Sequence, residues 1–180
     1  MSQTTTYIVD LFDELARLTA VKSGIGLYYQ YGDPLEIVDT IKEMAKSRKV
    51  SGRRFPLLAL FMDFDEAKGE RPDVQSSVSL HVVIATSTKP LLLAKQRYEE
   101  TFRSRLYPLY DAFIYSIQNC GYFVNVQELV PHTKTDRMKW GKSGLYEKPE
   151  NQFQDYIDAI EITNLKLLTK QNICIPTNSA

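Results

Sequence analysis

Apolar positions along the chain change their period several times, and each change marks an element. Ile8, Leu11, Phe12, Leu15 and Leu18 recur every three or four residues, which predicts an amphipathic helix over Tyr7–Ala20. Threonines before it offer caps, and Gly24 and Gly26 break the pattern. The aromatic run Leu27–Tyr31 predicts a short strand. Asp33 is a good N-cap, Pro34 suits the first helical position, and Glu36 lies where a capping box needs an acid. The helix opened there runs to about Ser47, with Ile37, Val38, Ile41, Met44 and Ala45 on its apolar face. Phe55–Phe64 is almost continuously apolar, the pattern of a strand buried on both faces, with Pro56 at its first residue.

Strict alternation over Ser77–Ala85 predicts the clearest strand, with Val78, Leu80, Val82 and Ile84 on one face. The polar stretch Asp65–Gln75 before it predicts the loop of a long hairpin. Tyr98, Phe102, Leu106, Leu109, Phe113 and Ile117 predict the longest helix, over Leu93–Asn119, which Pro108 should kink or split. Tyr122–Val126 reads as a short strand and Gln127–Asn151 as a long irregular loop with Pro131, Gly141, Gly144 and Pro149. The last strand, Asp155–Leu168, changes phase near Thr163, so a bulge is expected. The whole reads as one α+β domain over residues 1–168, a mostly antiparallel sheet with helices packed on one face. A tail over 169–180, polar except for Ile173, Cys174 and Ile175, would be ordered by a partner.

Composition narrows the function. The chain carries 22 basic and 22 acidic residues and has no net charge, which argues against a nucleic-acid binder that works by bulk electrostatics. Two cysteines, Cys120 and Cys174, are too few for a disulfide framework. The polar start lacks the pattern of a signal peptide, and the longest uninterrupted apolar run, Leu57–Met62, falls far short of the roughly 20 residues that span a bilayer. A soluble protein made in the cytoplasm, with no membrane partner, is expected.

Catalytic chemistry finds little support in the residues. His81 and His132 have no second histidine at metal-ligand spacing, and each reads as structural. Cys120 ends a helix, where a reactive thiol would favour a start. Gly141-Lys142-Ser143 resembles the end of a phosphate-binding loop, but Asp136 stands where the first glycine belongs. Glu66-Ala67-Lys68, with Asp33 as an earlier carboxylate, has the spacing of a magnesium-dependent nuclease, and this is the enzyme alternative. Solvated charges at a strand exit, near Asp63 and Asp65, explain the same residues.

No catalytic, cofactor or metal residue is therefore assigned. Two basic clusters, Arg48-Lys49 with Arg53-Arg54 and Lys134, Arg137, Lys139 and Lys142, could touch a phosphate backbone or an acidic partner surface, or be solvated loops. Trp140 and Tyr146 add the aromatics of an interface anchor. The expected contact residues are Arg53, Arg54, Arg137, Trp140, Tyr146, Ile173 and Ile175. They point to a structural or binding protein, with a small cytosolic adaptor as one such reading.

Three stretches resemble neck proteins of tailed bacteriophages: Leu27–Pro34 leading into a helix, Phe55–Phe61 leading into Asp63–Glu66, and Arg97–Glu100 through Leu106–Tyr110. The resemblance covers roughly residues 7–168 and is to tail-terminator-like or head–tail connector ring proteins, including those of crAss-like phages. It implies a tail-terminator-like fold with a projecting hairpin. It also implies a homo-oligomeric ring, usually of six or twelve copies, at the head–tail junction of the virion. Such a ring sits between portal or adaptor and tail proteins and extends the channel through which DNA passes as cargo. No residue of the family transfers as catalytic.

Overall fold

The computed structural model describes residues 7–37, 39–40, 54–69, 72–89, 92–140 and 156–171. Six strands form one sheet: β1 (Tyr28–Gly32), β2 (Leu57–Phe61), β3 (Glu66–Lys68), β4 (Val74–Thr88), β5 (Thr133–Trp140) and β6 (Tyr156–Lys170). Their spatial order is β1-β2-β4-β6-β5, and β3 pairs with the first half of β4. Only the β1–β2 pair is parallel. Parallel neighbours need a long crossover, and residues 33–56 supply it. Asp33 starts that crossover as expected, its Oδ1 accepting from the Leu35 N–H at 2.8 Å. The rest of the expected helix to Ser47 falls mostly outside the described residues.

The fold is α+β, as the alternation of helical and strand periods predicts. Helix α1 (Ile8–Ser23) lies on one face with a long helix in three segments: α2 (Ala94–Arg97), a π-helical stretch (Tyr98–Leu106) and α3 (Tyr107–Asn119). Leu11, Phe12 and Leu15 of α1 meet Phe102, Leu106, Leu109 and Phe113 of the long helix over Leu58, Leu60, Val82, Ile84, Ile160 and Ile162 of the sheet. The opposite face has its own core, in which Leu57, Ala59, Phe61, Val83, Ala85, Ile157 and Ala159 surround Ile37 and Trp140.

Pro108 sits where the long helix passes from π-helical to α-helical bonding. It occupies the first turn of α3, and the bonding ahead of it widens, with the Tyr107 N–H reaching back to the Phe102 carbonyl. Proline has no N–H for Ser104 and crowds its carbonyl, and the wider turn accommodates both losses. The widening also shifts the helical phase. Tyr98, predicted on the buried stripe, is largely exposed, whereas Phe102 and Leu106 remain buried.

Three other expectations are corrected. The polar stretch 65–75 contains β3, and β4 begins at Val74. Tyr122–Val126 contributes only one bridge, Phe123 to Thr169, because Asn125 turns into the left-handed region at φ 59°. The stretch 127–151, expected to be irregular, holds β5, an edge strand whose polar, charged residues conceal it from any apolar pattern. The expected bulge in β6 is present: the β4 register slips between Leu80 and Val82, and Asn164 has φ 51°.

Candidate interaction surfaces

The two outer edges of the sheet differ in chemistry. β1 reads Tyr-Tyr-Gln-Tyr-Gly and carries no charge. Among the described residues no strand lies beyond it. Tyr28 is 41% exposed and Tyr31 53%, on opposite faces of that strand, while the Tyr29 hydroxyl donates to the Val9 carbonyl at 3.0 Å. Edge strands that must stay single are usually guarded by charge or distortion. β1 carries no charge and departs from ordinary strand backbone only at its end, where Gly32 has φ 150°, whereas β5 is charged and bent within: Lys134, Asp136, Arg137 and Lys139 line it, and Lys139 enters the left-handed region at φ 56°.

Inward of β5, its side chains tie the edge down. Trp140 was expected on an exposed loop, but it lies in a strand that faces the second core and is only 4% exposed. Its indole N–H donates to Glu161 Oε1 and the Arg137 Nε–H donates to Oε2, each at 2.9 Å. Arg137 is half-exposed, but this ion pair holds it. Arg54, expected on a solvated loop, is 4% exposed, and its Nε and one terminal nitrogen have no hydrogen-bond partner among the described residues. Arg53, Tyr146, Ile173 and Ile175 lie outside the described residues, as do Arg48, Lys49 and Lys142.

Sequence reasoning missed the cluster where α3 meets the start of β5. The His132 Nδ1 lies 2.7 Å from the Val130 carbonyl, which can only accept, so that nitrogen carries a proton. In the neutral ring, Nε2 then accepts the Tyr110 hydroxyl at 2.7 Å. Tyr107 donates to Asp136 Oδ2 at 2.7 Å, and burial together with that bond pushes its pKa up to about 12. Lys134 pairs with Asp136 and sits 4.6 Å from the Tyr107 ring centre. These contacts fasten the long helix to β5. The residues come from segments far apart in sequence, so no spacing rule links them.

The half-buried His81 ring meets Phe61 edge-on at 4.5 Å, and its Nε2 has no hydrogen-bond partner among the described residues. Burial lowers its pKa, and nearby Glu161 opposes that only partly. The folded value therefore lies below the unfolded value of about 6.5. Stability from this position is fully present above that unfolded value and is lost as pH falls through the depressed folded one. His81→Phe is expected to shrink the drop in urea midpoint between about pH 7.5 and 5.5. An unchanged drop would show that His81 titrates freely.

The residues of the nuclease alternative each make a local contact. Asp33 caps the crossover helix, and Glu66 pairs with Lys68 at 3.6 Å on exposed β3. Among the described residues no three His, Cys, Asp or Glu side chains gather in a way that could hold a metal ion. Among them, too, no helix is long and apolar enough to cross a membrane. On the outer side of the helical layer, α1 and α3 enclose an open groove of about 390 Å³, lined by Leu18, Val21, Tyr115, Cys120 and Tyr122 with Glu14 and Lys22 at its rim. Burial raises the Cys120 thiol pKa, which keeps it a slow nucleophile.

No protein-family model matches the chain, and no curated protein matches it.

Proposed function

We propose that this chain is a non-catalytic structural subunit that joins copies of itself head to tail into a closed ring. That is the role of the bacteriophage neck proteins its sequence resembles. The observation that carries the reading is the contrast between the sheet edges, with aromatic, uncharged β1 on one side and charged, bent β5 on the other. A two-fold dimer needs one self-complementary patch, whereas a ring needs two different patches that fit each other. β1 supplies an unguarded patch for a neighbour's different surface. The balance of 22 basic and 22 acidic residues suits a channel wall that DNA passes without being gripped. In the virion such a ring would sit at the head–tail junction, between portal or adaptor and tail proteins, with six or twelve copies.

The test is assembly. Mass photometry and negative-stain microscopy of the purified protein, alone and with its neck partners, are expected to show a closed ring. Tyr28→Lys with Tyr31→Lys should leave a folded monomer that no longer assembles, because charge on an edge strand opposes docking. A protein that stays monomeric under all these conditions, or rings that survive the double substitution unchanged, would count against the proposal.

A further inference from the structure

We propose that the groove between α1 and α3 binds a small amphiphile, an apolar chain or ring that carries one anionic group. This does not depend on the ring reading. It rests on the groove's charge, its walls and its size.

The polar side chains of the wall are engaged, with one exception. Both carboxylate oxygens of Glu14 are held by Arg17, whose Nη2 and Nε donate at 2.5 Å and 2.7 Å. The Ser116 hydroxyl donates to the Ala112 carbonyl and the Asn119 side-chain amide to the Tyr115 carbonyl, each at 2.8 Å. The Cys120 thiol donates to the Ile117 carbonyl at 3.4 Å. Lys22 is the exception. Among the described residues it forms no ion pair, and its Nζ lies 3.9 Å from the centre of the Tyr115 ring. A ring face offsets part of a cation's charge but leaves its N–H donors without oxygen acceptors. Glu14 and Arg17 cancel, so Lys22 gives the groove an unmatched positive charge, and the complementary ligand is an anion.

The rest of the wall is largely apolar and open. Val21 is 73% exposed and Tyr115 44%, with Leu18 beside them. Glu14, Leu18 and Lys22 follow one another a turn apart on α1, so the wall runs about 12 Å from the Glu14–Arg17 pair to Lys22. Cys120 and Tyr122 stand towards the Glu14 end, close enough for its charge to help raise both their pKa values. A head group at Lys22 therefore lays the apolar body along Leu18 and Val21 and ends it beside the Cys120 thiol. Size favours a small molecule over a protein. The volume of about 390 Å³ falls within the roughly 300–1,000 Å³ of small-ligand sites. Nine residues line the groove, whereas an ordinary protein partner engages roughly 20–30 a side.

Decanoate, kept below the concentration at which it forms micelles, is the probe. Alkylation of Cys120 by a maleimide, followed by peptide mass, is the readout. Decanoate is expected to slow this alkylation in a saturable way, because its chain covers the thiol. Decyltrimethylammonium, with the same chain and the opposite charge, should not. Lys22→Gln should raise the Kd of decanoate about tenfold, as loss of a charge-assisted hydrogen bond does. Val21→Asp should raise it further, by setting a carboxylate in the wall. Both positions are exposed, so neither substitution threatens the fold. Three results would each overturn the proposal: no protection of Cys120, equal protection by the two amphiphiles, or protection that both substitutions leave unchanged.

Discussion

Arg97→Met is expected to destabilise the fold by about 3–5 kcal/mol, the usual result of removing one partner from a buried ion pair. Arg97 is 1% exposed and its terminal nitrogen donates to Asp158 Oδ1 at 2.7 Å. Its Nε–H donates to the Leu92 carbonyl at 3.1 Å, and its other terminal nitrogen to the Lys89 carbonyl at 3.4 Å. Asp158 is fully buried in β6, and its Oδ1 also accepts the Lys139 N–H at 2.9 Å. One carboxylate oxygen therefore holds the start of the long helix and the bend in β5 at once. Without the guanidinium, Asp158 keeps a charge in the interior, and its Oδ2 has no hydrogen-bond partner among the described residues. Domains of this kind have roughly 5–15 kcal/mol in total, so a large part of the stability would go. Urea and thermal unfolding measure the loss. Arg97→Met combined with Asp158→Leu should recover most of it, since an apolar pair of similar shape replaces a buried ion pair at little cost. A single variant within about 1 kcal/mol of the parent would show that solvent reaches Asp158.

Trp140→Ala is expected to cost about 3–5 kcal/mol, the range for truncating a large buried aromatic. The ring packs among Ile37, Phe61, Ala85, Ile157 and Ala159, and its loss empties the centre of the second core. Trp140→Phe separates packing from polarity. It keeps most of the apolar volume but leaves Glu161 Oε1 without the indole N–H, for an expected loss of about 1–3 kcal/mol. Trp140 is the chain's one tryptophan, so its fluorescence reports unfolding of the parent directly, and circular dichroism serves for the variants. A melting temperature unchanged by the alanine would mean that the ring contributes surface and not core. The expected loss also means that Trp140→Ala cannot serve as a clean probe of assembly, because it weakens the monomer first.

How much of this was legible in the sequence depends on which force shapes each element. α1, β2, β4 and the long helix bury apolar stripes, and the spacing of Leu11, Phe12 and Leu15, or of Val78, Leu80, Val82 and Ile84, exposes them. Even there one phase slipped: Thr19 is fully buried, its hydroxyl donating to the Leu15 carbonyl at 2.7 Å, while Leu18 turns to the groove. β5 was illegible because pairing with β6 holds it, and backbone pairing leaves no mark on side-chain polarity. Its charges misled further. Lys139 and Arg137 suggested a solvated loop and took Trp140 with them, although the next residue after a left-handed bend can face the opposite way. The burial of Arg54 had no signal at all, since an arginine in a basic stretch beside a glycine resembles any exposed turn.

The pairing of β4 with β6 carries a kinetic consequence. Ser76 bonds to Thr169 across 93 positions, and the ladder between these strands is the longest in the sheet. Closing so distant a contact is slow, because the loop entropy must be met before the contacts form. During synthesis, α1, β1, β2 and the whole long helix emerge before the strand that completes the sheet. Until β6 arrives, one side of β4 is an open edge beside Leu80, Val82 and Ile84, which is the stage at which a nascent chain is most prone to aggregate. The arrival of β6 thus sets when the described sheet closes and the chain first becomes a folded object.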